Sequence, residues 1–271
     1  MTTSKLFDIS GRVVIVTGGL GQLGRRFCRS LLAQGARVAS FDLRAATPIG
    51  DTDLDAAAAR GTFLQVEANV TERESLKEAL AVVRSAWGAP HGLVNCAALD
   101  SPPGAPPSQN GPFEEFPVEV WTQVMDVNVK GVFLSCRVVG AAMGAGASVI
   151  NISSIYGMVS PDQRIYESLR SQGREFFKPI AYSVSKSALF NLTRYLATYW
   201  APKGVRVNTL TLGGVFNNQD PGFVSAYESR TPLGRMARAG EYDGAVVFLL
   251  SEAASYMTGA NMVVDGGWTA W

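Results

Sequence analysis

Histidine is almost missing from this chain. His91 is the single one in 271 residues, and it stands just before a strand-like run. Histidine triads and multi-histidine metal centres are therefore excluded. Cysteine is scarce as well. Cys28, Cys96 and Cys136 have no short pairing between them, so they read as buried packing thiols of a reducing compartment, and no metal site is expected. Charge is sparse and balanced, with 17% charged residues, 24 Lys and Arg against 23 Asp and Glu, and no basic block. No nucleic-acid partner follows from such a surface. Long apolar runs are absent too: the most apolar stretch, 129–150, is broken by Lys130 and Arg137, so no membrane partner is expected. Residues 1–12 lack the apolar core of a signal peptide, and the expected location is the cytoplasm.

What the chain has is 47% hydrophobic residues in alternating strand-like and helix-like segments. Strands are expected near 12–17, 37–41, 62–66, 92–96, 147–152, 205–211 and 261–264. Helices are expected near 22–34, 71–87, 117–143, 180–200 and 240–251. Such alternation predicts an α/β fold: a Rossmann-like doubly wound parallel sheet of about seven strands with helices on both faces. With no repeat and no linker, 1–271 reads as one catalytic domain. Three segments break the rhythm. Residues 45–55 read as a loop or one weak helix. Residues 101–117 carry Pro102, Pro103, Pro106, Pro107, Pro112 and Pro117, which forbid a regular helix. Residues 158–180 form a long polar stretch between Ser154 and Tyr182.

The first strand, Arg12 to Val16, runs into Thr17, Gly18, Gly19, Leu20, Gly21, Gln22, Leu23 and Gly24, and then into a helical stretch. Strand, glycines and helix in that order let backbone approach a pyrophosphate at a helix N-terminus. Asp42 ends the second strand, 18 residues after Gly24. A carboxylate there accepts from ribose hydroxyls and repels a 2′-phosphate, which points to NAD. Arg44 keeps NADP open, because a guanidinium there meets such a phosphate. Further along, Tyr182 and Lys186 are four apart, one above the other on a helix. An ammonium beside a phenol favours the phenolate and tunes a tyrosine for proton transfer.

With these motifs in order, the chain resembles the short-chain dehydrogenase/reductase family almost end to end. Asn128, Ser154, Tyr182 and Lys186 stand at the family's tetrad. The resemblance implies that Tyr182 moves the proton, Ser154 bonds the substrate oxygen, Lys186 lowers the tyrosine pKa and holds the nicotinamide ribose, and Asn128 places a water on Lys186. It implies cofactor contacts at Gly18, Gln22, Leu23, Gly24, Asp42, Asn69, Val70, Asn95, Ala97, Tyr182, Lys186, Gly213 and Val215. The closing run Val263, Val264, Asp265, Gly266, Gly267 also matches. There are departures. Gln22 stands where the single-domain branch has its middle glycine, Asn69 replaces an aspartate, Cys96 and Ala98 replace asparagine and glycine, and Leu212 replaces a proline.

For the substrate, the stretch 158–179 is expected to cover the reacting end of the site, because its ends are tied to Ser154 and Tyr182. Its charged and amide side chains suit a small polar substrate, contacted by Ser154, Tyr156, Tyr182, Arg164 and Asn217. Arg170 and Arg174 are further candidates for an anionic group. The C-terminal half resembles bacterial members from sugar and surface-polysaccharide pathways, which implies a sugar, sugar acid or polyol. The alternatives are a 3-oxoacyl thioester reductase and a non-catalytic dinucleotide-sensing regulator. Apolar residues on the helices near 117–143 and 180–200, among them Val132, Phe133, Val138, Val139, Leu189, Phe190, Leu192 and Leu196, predict a homotetramer or homodimer.

Overall fold

The apolar runs form strands β1 (Val13–Thr17), β2 (Arg37–Asp42), β3 (Phe63–Glu67), β4 (Gly92–Asn95), β5 (Ser148–Ser154), β6 (Arg206–Leu212) and β7 (Asn261–Val264) in the computed structural model. The structure describes residues 2–44, 48–100 and 109–271. The proline-rich expectation over 101–108 and the first part of the 45–55 loop therefore lie outside the described residues. All strand pairings are parallel, in the order β3-β2-β1-β4-β5-β6-β7. The order reverses between β1 and β4, and the crevice outside that switch point is where such sheets bind ligands.

The helices are α1 (Thr3–Leu6), α2 (Gln22–Ala33), α3 (Thr52–Ala59), α4 (Arg73–Trp87), α5 (Val118–Met125), α6 (Gly131–Val138), α7 (Ile155–Met158), α8 (Glu167–Ser171), α9 (Ile180–Trp200), α10 (Pro221–Arg230) and α11 (Asp243–Leu250). The sheet is buried on both faces because successive strand residues point to opposite sides. Val13 and Ile15 join the core under α4, α6 and α9, with Leu76, Val139 and Leu189. Val14 and Val16 join the other core, with Phe27, Leu31 and Val246. A third cluster lies outside the sheet and unites Ile155, Ile165, Leu169, Tyr227 and Trp268.

The structure adds detail that periodicity alone did not give. The expected helix near 117–143 is two α-helices joined by a π-helical turn, Asp126–Lys130. The weak helix after 45 becomes α3, which starts later than expected because the Asp51 carboxylate accepts from Leu54 N at 3.3 Å. The long stretch before Tyr182 is not a bare loop. It holds α7, a 3-10 turn at Gln163–Tyr166 and α8. Helix α10 was also unforeseen; Pro221 is at its start and the Asp220 side chain accepts from Phe223 N at 3.0 Å.

Candidate active site

The glycine turn after β1 is built on two close backbone approaches. Gly18 has φ +65°, and a Cβ there would lie 2.7 Å from the Ala97 Cα. At Gly24 a Cβ would lie 2.0 Å from the Gly18 carbonyl oxygen. Only glycine meets both demands, the first for backbone conformation and the second for space. The turn ends at Gly21, which precedes α2 without any side-chain cap. The leading N–H groups of α2 are therefore left for a ligand, as a pyrophosphate needs. Asp42 closes the other side. Its carboxylate accepts from Leu20 N at 3.0 Å and from Leu43 N at 2.9 Å, and it borders the same cavity.

That cavity has a volume of about 790 Å³ and runs along the carboxyl ends of the strands. At its glycine-turn end it is lined by Gly18, Gln22, Leu23, Gly24 and Asp42, with Asn69, Val70 and Ala97 beside them. At the other end it is lined by Ser154, Tyr156, Tyr182 and Lys186, with Gly213, Val215 and Asn217 opposite. The shape and chemistry fit a dinucleotide: an uncapped helix start, a glycine cradle that a Cβ would fill, and a carboxylate at the end of β2.

Asn95, Asn128 and Arg164 are not among the lining residues. Asn95 points into the sheet's interior, where its side-chain amide donates to Asn151 Oδ1 at 2.8 Å. Asn151 donates in turn to Thr193 Oγ1 at 2.9 Å, and Thr209 Oγ1 donates to the same oxygen at 2.7 Å. Asn95 ends β4 with its side chain buried there, while Cys96 and Ala97, just beyond the strand, reach the cavity. Asn69 lines the site but is also structural, since its Oδ1 accepts from Thr71 N at 3.0 Å ahead of α4. Arg164 departs furthest from expectation. Its side chain is 84% exposed and forks onto Asp162, so it is turned to solvent by a partner two residues away. Arg170 is likewise spent within the stretch 158–179, on the carbonyls of Phe176 and Gln163. Arg174, by contrast, does line the cavity.

At the reacting end, Ser154 closes β5. Its Oγ accepts from Tyr156 N at 3.2 Å, and it lines the cavity together with Tyr182. Tyr182 and Lys186 share one face of α9, as their spacing predicts, and the Lys186 ammonium lies 5.8 Å from the Tyr182 ring centre. The ammonium is not free to approach further, because it donates to the Ile152 carbonyl at 2.9 Å. Burial pushes the Tyr182 hydroxyl above its ordinary pKa, with the Asp100 carboxylate adding to the rise, while Ser154 pulls the other way. Lys186, expected to pull the hydroxyl down, is not among the groups that shift it, and burial dominates. Lys186 itself is lowered to about 8, again by burial. Asn128 lies in the π-helical turn and is fully buried. Its amide accepts from Leu99 N at 2.7 Å and donates to the Leu99 carbonyl at 2.9 Å and to Ser185 Oγ at 3.0 Å. It therefore clamps the chain after β4 to α9 beside Lys186.

The opposite wall was not foreseen in this form. The stretch 158–179 contributes Tyr166, Leu169, Arg174, Phe176 and Lys178, and α10 contributes Phe223 and Tyr227. Tyr166 stacks near Phe223 at 5.2 Å and Phe176 at 4.8 Å, and its hydroxyl meets that of Tyr156 at 3.3 Å. Tyr227 is held by a 2.6 Å bond from Gly214 N. The wall is more aromatic than a reading of charged side chains implied, because the charged ones pair among themselves and the rings turn inward. Arg174 is one charged exception and Lys178 the other. Sequence carried one signal for it: Lys178, Tyr182 and Lys186 are evenly spaced by four. Among the described residues no cluster of three or more acidic, histidine or cysteine side chains is placed to hold a metal ion. No helix among them is long and apolar enough to cross a membrane.

The family model described as enoyl-(acyl carrier protein) reductase matches residues 21–269. Among characterised proteins, the chain is 34% identical to galactitol 2-dehydrogenase (L-tagatose-forming) of Cereibacter sphaeroides, over 98% of each chain. It is 31% identical to 2,5-dichloro-2,5-cyclohexadiene-1,4-diol dehydrogenase of Sphingobium indicum, over 97% of this chain and 99% of the other. A solved short-chain dehydrogenase of Leptospira borgpetersenii with bound NAD+ superposes with a TM-score of 0.82 at 30% identity, covering 99% of this chain and 96% of that one. The chain belongs to the short-chain dehydrogenase/reductase family. It is an NAD(P)-dependent oxidoreductase.

Proposed function

We propose that this enzyme interconverts a secondary alcohol and a ketone on a sugar, sugar acid or polyol, with NAD as the preferred cofactor. The observation that carries the reading is the meeting of Ser154 and Tyr182 at one end of the cavity, faced by polar and charged groups of Lys178, Asp100 and Asn217. The galactitol and cyclohexadienediol dehydrogenases among the relatives support a hydroxylated substrate. Aromatic rings beside those polar groups suit a compact carbohydrate or cyclic diol, whose C–H faces pack on rings while its hydroxyls reach donors.

In this reading Ser154 Oγ donates to the reacting oxygen and steadies developing charge there. Tyr182 takes the alcohol proton in oxidation and returns it in reduction. Lys186, Gly213 and Val215 hold the nicotinamide end; Gly18, Gln22, Leu23 and Gly24 hold the pyrophosphate; Asp42, Asn69, Val70 and Ala97 border the adenosine end. The bound cofactor supplies the hydride chemistry. Asn128 contributes by fixing Leu99 and α9 rather than by touching substrate. A panel of polyols, sugar acids, cyclic diols and 3-oxoacyl thioesters, read by nicotinamide absorbance, tests the proposal. Turnover confined to the thioesters overturns it, and silence on every substrate favours the sensing alternative.

Asp42 is the basis of the NAD preference. Asp42→Ala is expected to narrow or reverse the ratio of kcat/KM for NAD over NADP, since the carboxylate that repels a 2′-phosphate is lost. An unmodified enzyme that works better with NADPH would show Arg44 to dominate.

The assembly we propose is a homotetramer, or a homodimer, in the cytoplasm. The unpaired thiols of Cys28, Cys96 and Cys136 suit that compartment. Val132, Val138, Val139 and Leu189 belong to the chain's own core and are not available for pairing. Phe133, Val184, Tyr195 and Tyr199 remain exposed on the same helices, and Tyr195 and Tyr199 are 63% exposed each. Spacings of 11 and 4 put Val184, Tyr195 and Tyr199 on one face of α9. Light scattering at micromolar concentration should show a closed oligomer, and Tyr195→Asp combined with Tyr199→Asp should dissociate it.

A further inference from the structure

The stretch 158–179 delivers a cation to the reacting tyrosine. Lys178 Nζ lies 4.5 Å from the centre of the Tyr182 ring and 5.9 Å from that of Tyr156. It is nearer to Tyr182 than Lys186 is, at 5.8 Å. The Lys178 side chain is 9% exposed and forms an ion pair with Asp100, in the segment after β4. Its backbone is gripped from both sides by Gln163, whose Oε1 accepts from Lys178 N at 2.9 Å and whose Nε2 donates to Lys178 O at 3.3 Å. Two opposite charges from separate segments therefore meet above the ring to which the proposed function gives the proton transfer.

An ammonium over the face of a phenol attracts its π electrons, and the attraction grows when the ring carries phenolate charge. A carboxylate in the same place acts in the opposite sense. We infer that the Lys178 and Asp100 pair sets the ionisation of Tyr182, with Lys178 favouring the phenolate and Asp100 opposing it. Lys178 is then a positioning residue that acts through Tyr182, and the stretch 158–179 belongs to the proton-transfer apparatus as well as to the substrate wall. Other groups face the same tyrosine: Lys186 from its own helix, Ser154 from the end of β5, Tyr156 from α7, and Cys96 from just after β4. Burial raises the Tyr156 hydroxyl and the Cys96 thiol, the latter to about 11, so both are neutral near neutral pH. Lys178, Asp100 and Lys186 are thus the acidic and basic side chains that face the ring. The inference rests on the reading of Tyr182 as the proton-transfer group.

The test uses the full chain with NAD bound and tyrosine carrying a carbon label next to its hydroxyl, followed by NMR across pH. The Tyr182→Phe variant identifies the signal. Lys178→Gln should raise the Tyr182 midpoint by about one pH unit, and Asp100→Asn should lower it by about as much, in line with the effect of a charge at this range. Lys178→Arg should keep the unmodified midpoint. The pH at which kcat/KM for alcohol oxidation rises should move with the signal. Shifts of the same sign in the two neutralising variants, unmoved midpoints, or a Tyr182 signal that fails to ionise before the unmodified protein unfolds would each overturn the inference. The titration needs no substrate, so it separates the two readings. Opposite shifts without turnover of any alcohol uphold the pair and overturn the polyol reading. Polyol turnover with unmoved midpoints does the reverse.

Discussion

Tyr182→Phe is expected to lose turnover by a factor of about 10²–10⁴, the usual contribution of a general acid or base. The ring of Tyr182 still packs within the cluster of Ile155, Tyr156 and Tyr166. The change removes only the hydroxyl at the cavity's reacting end and leaves the glycine turn untouched. NAD affinity and thermal stability should therefore stay near those of the unmodified enzyme while kcat collapses. Steady-state kinetics beside a direct NAD-binding measurement separates the effects. Near-normal kcat would remove Tyr182 from the reaction.

Gly24→Ala is expected to damage binding instead of chemistry. The added methyl would sit 2.0 Å from the Gly18 carbonyl oxygen and 2.7 Å from the Gly19 Cα, and neither is the far end of a flexible side chain. Either the turn or the start of α2 must move. Overpacking of this kind costs about 1–3 kcal/mol in stability. The N–H groups at the start of α2 move with it, so NAD affinity should fall at least about tenfold, equivalent to about 1.4 kcal/mol. Gly144→Ala is the control. Nothing lies within 4 Å of its Cβ position, and both readouts should stay unchanged. A melting curve and an NAD titration of the two variants decide the matter.

The strands and the order of their motifs were legible in the sequence because each rests on local chemistry. Val13 to Thr17 is β-branched throughout, Gly18 and Gly24 answer a backbone demand, and Tyr182 and Lys186 are one helical turn apart. The doubly wound sheet followed from their alternation, and the switch between β1 and β4 gathers the glycine turn, Asp42 and Ser154 at one edge. What the sequence did not reveal depends on which partners each side chain meets in the fold. Arg164 reads as a substrate-facing cation until Asp162 and Arg230 are seen to meet beside it. Asn95 fits a family motif, yet its direction is set by the pleat and by Asn151 on the neighbouring strand. Lys178 is the converse case. Its importance depends on Asp100, 78 residues earlier, and on a ring that only folding brings beneath it.

The π-helical turn at Asp126–Lys130 has a consequence for how this chain tolerates change in length. An α-helix advances about 100° per residue, so a widened turn works as a phase adjuster between the helices on either side. With it, Val124 of α5 and Val132 of α6 are both buried, while Asn128 between them faces Leu99 and Ser185. Removing one residue from this turn would let α5 and α6 fuse into a regular helix. A π-turn fits one extra residue into nearly the angle that a regular helix covers without it, so α5 and α6 would keep their facings and Val124 and Val132 would stay buried. What the deletion would remove is the widened turn that carries Asn128 to Leu99 and Ser185. The turn thus absorbs one residue without rotating either helix, and that residue is spent on placing a single amide.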